Sequence, residues 1–217
     1  MALQAGSSTT TLTFDRESKM VEAIARVAAT LPKELRESLA FGNGEVQVLQ
    51  VVAADTRRND VVFSSAGKVY GVEFKRGILT EADIYEALIL RRYSIILKTR
   101  YGDKFAGIVF VGETVETCLS PGSDSGIRQT WMELTGCGIT AVKIGDFART
   151  IITKSLNDVA DNPGKYSPHT ICQIPAQLHA LTTTSDGYPQ WFNADWLIRT
   201  LDDYSSVLGE YCKSKQK

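Results

Sequence analysis

The sequence predicts an α/β protein with a mixed sheet flanked by helices, and three observations carry that expectation. From Asp15 to about Leu31, apolar residues return at three- and four-residue steps (Met20, Val21, Ile24, Ala28, Leu31), the period of an amphipathic helix. Three β-rich runs then follow closely, at 46–54, 60–64 and 68–75, with Ala66-Gly67 placed for a two-residue hairpin turn between the last two. Beyond Gly77, helical and extended stretches alternate. Such an alternation after an initial meander implies a mixed sheet with helices against it.

Each element has its own signals. Thr13 or Asp15 can cap the first helix, and Pro32 falls just after it. A short helical piece at 33–39 is closed by Gly42-Asn43-Gly44, which is too short and wrongly placed for a phosphate loop. Thr80-Glu81-Ala82-Asp83 opens a helix running to about Lys98, with Ile84, Ala87, Leu88, Arg91 and Ile95 along one side. A strand at Phe105–Val111, a helix at about 125–135, a strand at Ile139–Ile144 and a helix at Phe147–Ala160 follow. Asp161 to Pro175 reads as loop-rich, and Asn193 to Tyr211 as a closing helix carrying Trp196, Leu197, Leu201, Tyr204 and Leu208. The domain expectation is a flexible tail over 1–13 and one domain over 14–217. Within it, the core spans about 14–146 and a C-terminal helical extension about 147–217.

Composition narrows the function classes. The 217 residues are 43% hydrophobic and 23% charged, the balance of an ordinary globular protein. No apolar run approaches the roughly 20 residues of a membrane span, and the N-terminus lacks a secretory pattern, so the expectation is a cytoplasmic protein with no membrane partner. Cys118, Cys137, Cys172 and Cys212 are scattered without a Cys-x-x-Cys pair, which predicts thiols rather than a zinc site or a disulfide framework. His169 and His179 have no triad or metal pattern around them, and no Walker loop, nucleophile elbow or dinucleotide fingerprint is present. Tyr188, Trp191, Phe192 and Trp196 read as packing for the last helix ahead of base stacking. The net charge of −1 gives no global pull on a polyanion. Between Arg57 and Lys104, however, ten basic residues stand against six acidic ones, a local net of +4.

That basic span encloses the chemistry. Side chains alternate faces along a strand, so Glu73 and Lys75 point one way while Val72 and Phe74 point the other. With a two-residue turn at Ala66-Gly67, opposed residues have numbers summing to 133, and Asp60 lies across from Glu73 with Cβ atoms about 4.5–5.5 Å apart. Two carboxylates and an ammonium then surround one hydrated cation. Mg²⁺ suits such a site, because it takes hard oxygen ligands and needs only one or two carboxylates beside water and phosphate oxygens. On the first helix, Glu17 is in line with Val21, Ile24 and Ala28. It serves either to compensate the helix dipole or to complete the metal site, and Glu22 is the alternative acid.

A helix bearing a glutamate, then Asp60 and Glu73-Phe74-Lys75 on adjacent strands, then helix, strand, helix and strand resembles the PD-(D/E)XK nuclease superfamily. Tyr70-Gly-Val-Glu-Phe-Lys-Arg-Gly77 is similar to the Val-Val-Glu-x-Lys-Arg-Gly strand of NucS-type endonucleases and Holliday-junction resolvases. Of the Gln-x-x-x-Tyr motif found in many relatives, Tyr93 fits and Ile89 stands where the glutamine would be. The resemblance covers roughly 14–146. It implies a restriction endonuclease-like αβββαβ core, DNA as partner, a homodimer, and Mg²⁺-dependent hydrolysis of phosphodiester bonds with Mn²⁺ as a substitute, in a restriction-type or structure-specific endonuclease. Asp60 and Glu73, with Glu17, would hold the metal. Lys75 would orient the attacking water or neutralise developing charge, and Arg57, Arg58, Arg76, Arg91 and Arg92 would grip flanking phosphates. The competing expectation is a catalytically inactive module of the same fold that binds nucleic acid or a protein.

Overall fold

The computed structural model describes residues 14–31, 61–65, 67–120, 125–183 and 194–215. The expected tail at 1–13, the helical piece at 33–39, the β-rich run at 46–54 and the aromatic residues Tyr188, Trp191 and Phe192 lie outside them.

Helix α1, Glu17–Ala29, buries Met20, Val21, Ile24, Val27 and Ala28, the stripe that the apolar spacing announces. Its N-cap is Arg16, with no side-chain cap, and not Asp15 as the sequence allows; Thr13, the other candidate, lies outside the described residues. Among the described residues four strands follow: β1 Val61–Ser65, β2 Lys68–Leu79, β3 Phe105–Val115 and β4 Gly138–Lys143. They lie in sequence order, with β1 antiparallel to β2 and with β2, β3 and β4 mutually parallel. The sheet is therefore mixed.

Strand alternation separates two cores. Val72, Phe74, Val109 and Val111 pack with α1 and the C-terminal helices on one face. Val62, Val69, Leu79, Ile108 and Phe110 pack on the other face under the helices that connect the parallel strands. These connecting helices are α2, Glu81–Tyr85, and α3, Tyr93–Tyr101, between β2 and β3, and α4, Ser125–Thr135, between β3 and β4.

The expected single helix from Thr80 to Lys98 is broken. Its start matches expectation: Thr80 and Asp83 form a capping box, each side chain accepting from the other's backbone N–H. A π-helical turn then occupies Glu86–Leu90, and Arg92 takes a left-handed φ of 56° before α3 begins. Phase explains the break. An unbroken helix would turn Arg91 and Ile95 inward beside Ile84 and Leu88, whereas the wider turn and the reversal bury Tyr93, Ser94 and Leu97 and leave Arg91 exposed. The left-handed arginine costs about 1–2 kcal/mol, against the larger penalty of sinking a guanidinium into an apolar core.

After β4 come α5, Ile144–Asp161, α6, Pro168–Thr183, and α7, Ala194–Lys215. Helix α6 occupies much of what the sequence predicts as loop. Pro168 stands at its first turn, where proline is tolerated, and Pro175 lies inside it because Ile171, Ile174 and Leu178 anchor the same helix in the core. Cys118 and Cys137 are free thiols, but Cys172 is disulfide-bonded, contrary to the expectation of thiols throughout. Sequence spacing does not reveal which cysteines tertiary packing will join. Among the described residues, no helix is long and apolar enough to cross a membrane.

Candidate active site on strand β2

The hairpin sets the site. Pairs run from Val61↔Val72 to Ser65↔Lys68, every pair summing to 133 as a two-residue turn requires, and Gly67 supplies a left-handed φ of 74° at the turn. Val72 and Phe74 are fully buried in the core shared with α1, so alternation sends Glu73 and Lys75 to the other face. Glu73 is 5% exposed, and its Oε2 is shielded from solvent. The Lys75 side chain is 15% exposed, and its Nζ lies 3.9 Å from Oε1 of Glu17 on α1. Asp60, one residue before β1, lies outside the described residues, as do Arg57 and Arg58.

Glu17 and Glu22 differ in their partners. Glu22 is exposed and accepts from Lys19 Nζ at 2.6 Å, a bond that holds its carboxyl below the usual glutamate range. Glu17, also exposed, is the acid that reaches Lys75. The first-turn position favoured by the helix dipole and the contact with β2 coincide in one residue.

Strand β2 does not stop at Gly77 but passes through a bulge. Lys75 pairs with Gly112 and Ile78 with Thr114, so Arg76 and Gly77 together oppose the single residue Glu113. Gly77 has a φ of 76°, and its N–H donates to Glu113 Oε1 at 3.2 Å. Bulges add twist and re-aim neighbouring side chains, here immediately after Lys75. Gly112 leaves room beside the bulge: a Cβ there would lie 2.4 Å from the Thr114 carbonyl oxygen and 2.8 Å from Leu79 Cβ. Glu113 was not among the expected site residues. An acid following the buried run 108–112 was the available signal, but its partnership depends on the bulge.

The arginines expected to grip phosphate divide. Arg76 donates to the backbone carbonyl of Asp15, tying the start of α1 to β2. Arg91 donates from Nε to Glu86 at 2.8 Å and from Nη1 to the Tyr93 hydroxyl at 3.3 Å. The Tyr93 bond foremost, and then Glu86, raise the Arg91 pKa above the usual arginine value. Arg92 is exposed.

For a metal, the donor chemistry at Lys75 is of the right kind. Glu73 and Glu17 are hard oxygen donors, and Mg²⁺ takes one or two protein carboxylates with water completing its shell. Among the described residues, no three His, Cys, Asp or Glu side chains converge as a cage. His169 and His179 are exposed on α6, and His169 contacts Gln173. Fold and site together define an α/β protein with an acid–lysine pair on a strand of a mixed sheet. The chain matches no protein-family model, no curated protein and no solved structure.

Proposed function

We propose that this protein is a Mg²⁺-dependent endodeoxyribonuclease of the PD-(D/E)XK type, with a restriction endonuclease-like core, hydrolysing phosphodiester bonds. The observation that carries the reading is Glu73 and Lys75 on one face of β2, with Glu17 of α1 at 3.9 Å from the lysine. The chemistry needs few parts. Glu73 and Asp60 would hold the metal, which would supply polarisation of a phosphoryl oxygen and a lowered pKa for a bound water. Lys75 holds the attacking water or offsets charge growing on the phosphoryl oxygens. Glu17 fixes the lysine ammonium, and the arginines supply sequence-blind attraction to the backbone. Cutting both strands of a duplex takes two such sites, which is the reason to expect a homodimer.

The test is cleavage of supercoiled plasmid and of a branched junction with Mg²⁺, with Mn²⁺ and with EDTA, for wild type, Glu73→Gln and Lys75→Ala. The expected outcome is metal-dependent nicking that falls by about 10²–10³ in each variant, with thermal midpoints showing that both still fold. The preferred substrate separates restriction-type from structure-specific cutting. No cleavage by folded wild type under any metal condition would sink the enzyme reading and leave the silent binding module.

A further inference from the structure

We propose that Arg92 is a direct contact to the phosphodiester backbone and that its left-handed conformation is the device that delivers its guanidinium. This rests on the nuclease reading above and adds a division of labour among the arginines. Arg92 is the only non-glycine with positive φ among the described residues. It is exposed, and no hydrogen bond or ion pair engages its guanidinium among the described residues. A glycine would meet the backbone demand with less strain, and the arginine side chain there is exposed. What an arginine adds there is a planar, permanently charged donor fork suited to phosphate.

The neighbours make the delivery firm. Leu88 before the elbow and Tyr93 after it are each at most 2% exposed, and Arg91 is tied to both Glu86 and Tyr93. Arg91 is thus a strut, and Arg92 projects from a fixed point. The level of that point along the sheet follows from chain geometry. From Lys75 to Leu79, β2 advances about 10 Å, because the bulge sets this stretch against the three steps from Gly112 to Val115 of β3 at roughly 3.3 Å each. Because β3 runs parallel to β2, the connecting helices must return. The ten steps from Glu81 to Arg91 bring the chain back about 15 Å at roughly 1.5 Å per residue. The elbow therefore stands at about the level of the Glu73 and Lys75 pair, on the sheet face that carries them.

The experiment measures binding of a fluorescent duplex across a salt series, in EDTA to prevent cleavage, by wild type, Arg92→Gly and Arg92→Lys, with thermal midpoints beside it. The inference expects Arg92→Gly to keep or raise the midpoint while weakening binding several-fold. It also expects the slope of log Kd against log salt to fall by about 0.9, the share of one phosphate contact, and Arg92→Lys to restore that slope. If wild type binds and Arg92→Gly matches it in affinity and slope, this inference fails and the nuclease reading stands. A marked drop in the Arg92→Gly midpoint would also overturn it, by making the side chain part of the fold. If folded wild type binds neither the duplex nor a branched junction, this inference and the nuclease reading both fail; if it binds the junction alone, the same variants and salt series are read on the junction.

Discussion

At Gly107, β3 pairs with Gly138 of β4 so closely that a Cβ would lie 2.3 Å from the Gly138 carbonyl oxygen and 2.9 Å from its carbon. Both atoms are backbone, so a methyl group is accommodated only by opening the ladder. Gly107→Ala should therefore destabilise by about 1–3 kcal/mol as an overpacked site. Each kcal/mol lowers the midpoint of a chain this size by about 2–4 °C. Gly164→Ala is the matched control, since nothing lies within 4 Å of a Cβ there; equal midpoints for the two variants would refute the close approach. Residues of the candidate site were legible to different depths. Glu73 and Lys75 follow from alternation alone, and the register sum of 133 follows from turn length. Glu113 was out of reach, because its bond to the Gly77 N–H exists only once β2 carries an extra residue against β3.

Among the elements, those governed by one local period were readable, as in α1 and in α4, and those where packing overrides the period were not. The α2 to α3 stretch has an apolar pattern with two phases, Ile84, Ala87 and Leu88 followed by Tyr93 and Leu97, and a single wheel cannot satisfy both. Helix α6 was hidden by its two prolines. Its approach from α5 is fixed at Asp158, whose carboxylate accepts from the Tyr166 hydroxyl, from Asn162 Nδ2 at 2.9 Å and from Lys165 Nζ at 3.4 Å. The Tyr166 bond above all, with Lys165 next, holds the Asp158 carboxyl below the usual aspartate value. A carboxyl with a depressed folded-state pKa stabilises the fold above its unfolded pKa and loses that contribution as pH falls through the folded value. Tyr166→Phe should lower stability at pH 7 by on the order of 1 kcal/mol, and the gap from wild type should shrink as the pH drops below about 4. Urea titrations of both proteins at pH 7 and pH 3 check this; a gap that is constant or grows toward acid contradicts the tether.

On the scale of the whole molecule, one apolar cluster joins α1, the Val72 and Phe74 face of β2, and the buried side chains of α5, α6 and α7. Among the described residues, the alternation of helix and strand through β4 was legible because strand and helix periods are local. How the last third packs was not, since nothing local states that Leu197 and Leu201 of α7 share a core with the strand bearing Glu73 and Lys75. The consequence is mechanical. If the C-terminal helices complete the same core, they cannot melt while the sheet stays folded, and truncating one of their buried side chains must weaken the entire unit. Leu197 is fully buried, so Leu197→Ala should cost about 2–5 kcal/mol through lost burial and the cavity left behind. Scanning calorimetry should then show one transition moved bodily to lower temperature, with calorimetric and van't Hoff enthalpies in agreement. A variant whose trace splits, with an early transition for the helices and an unmoved one for the sheet, would mean that α7 caps the core without helping to build it.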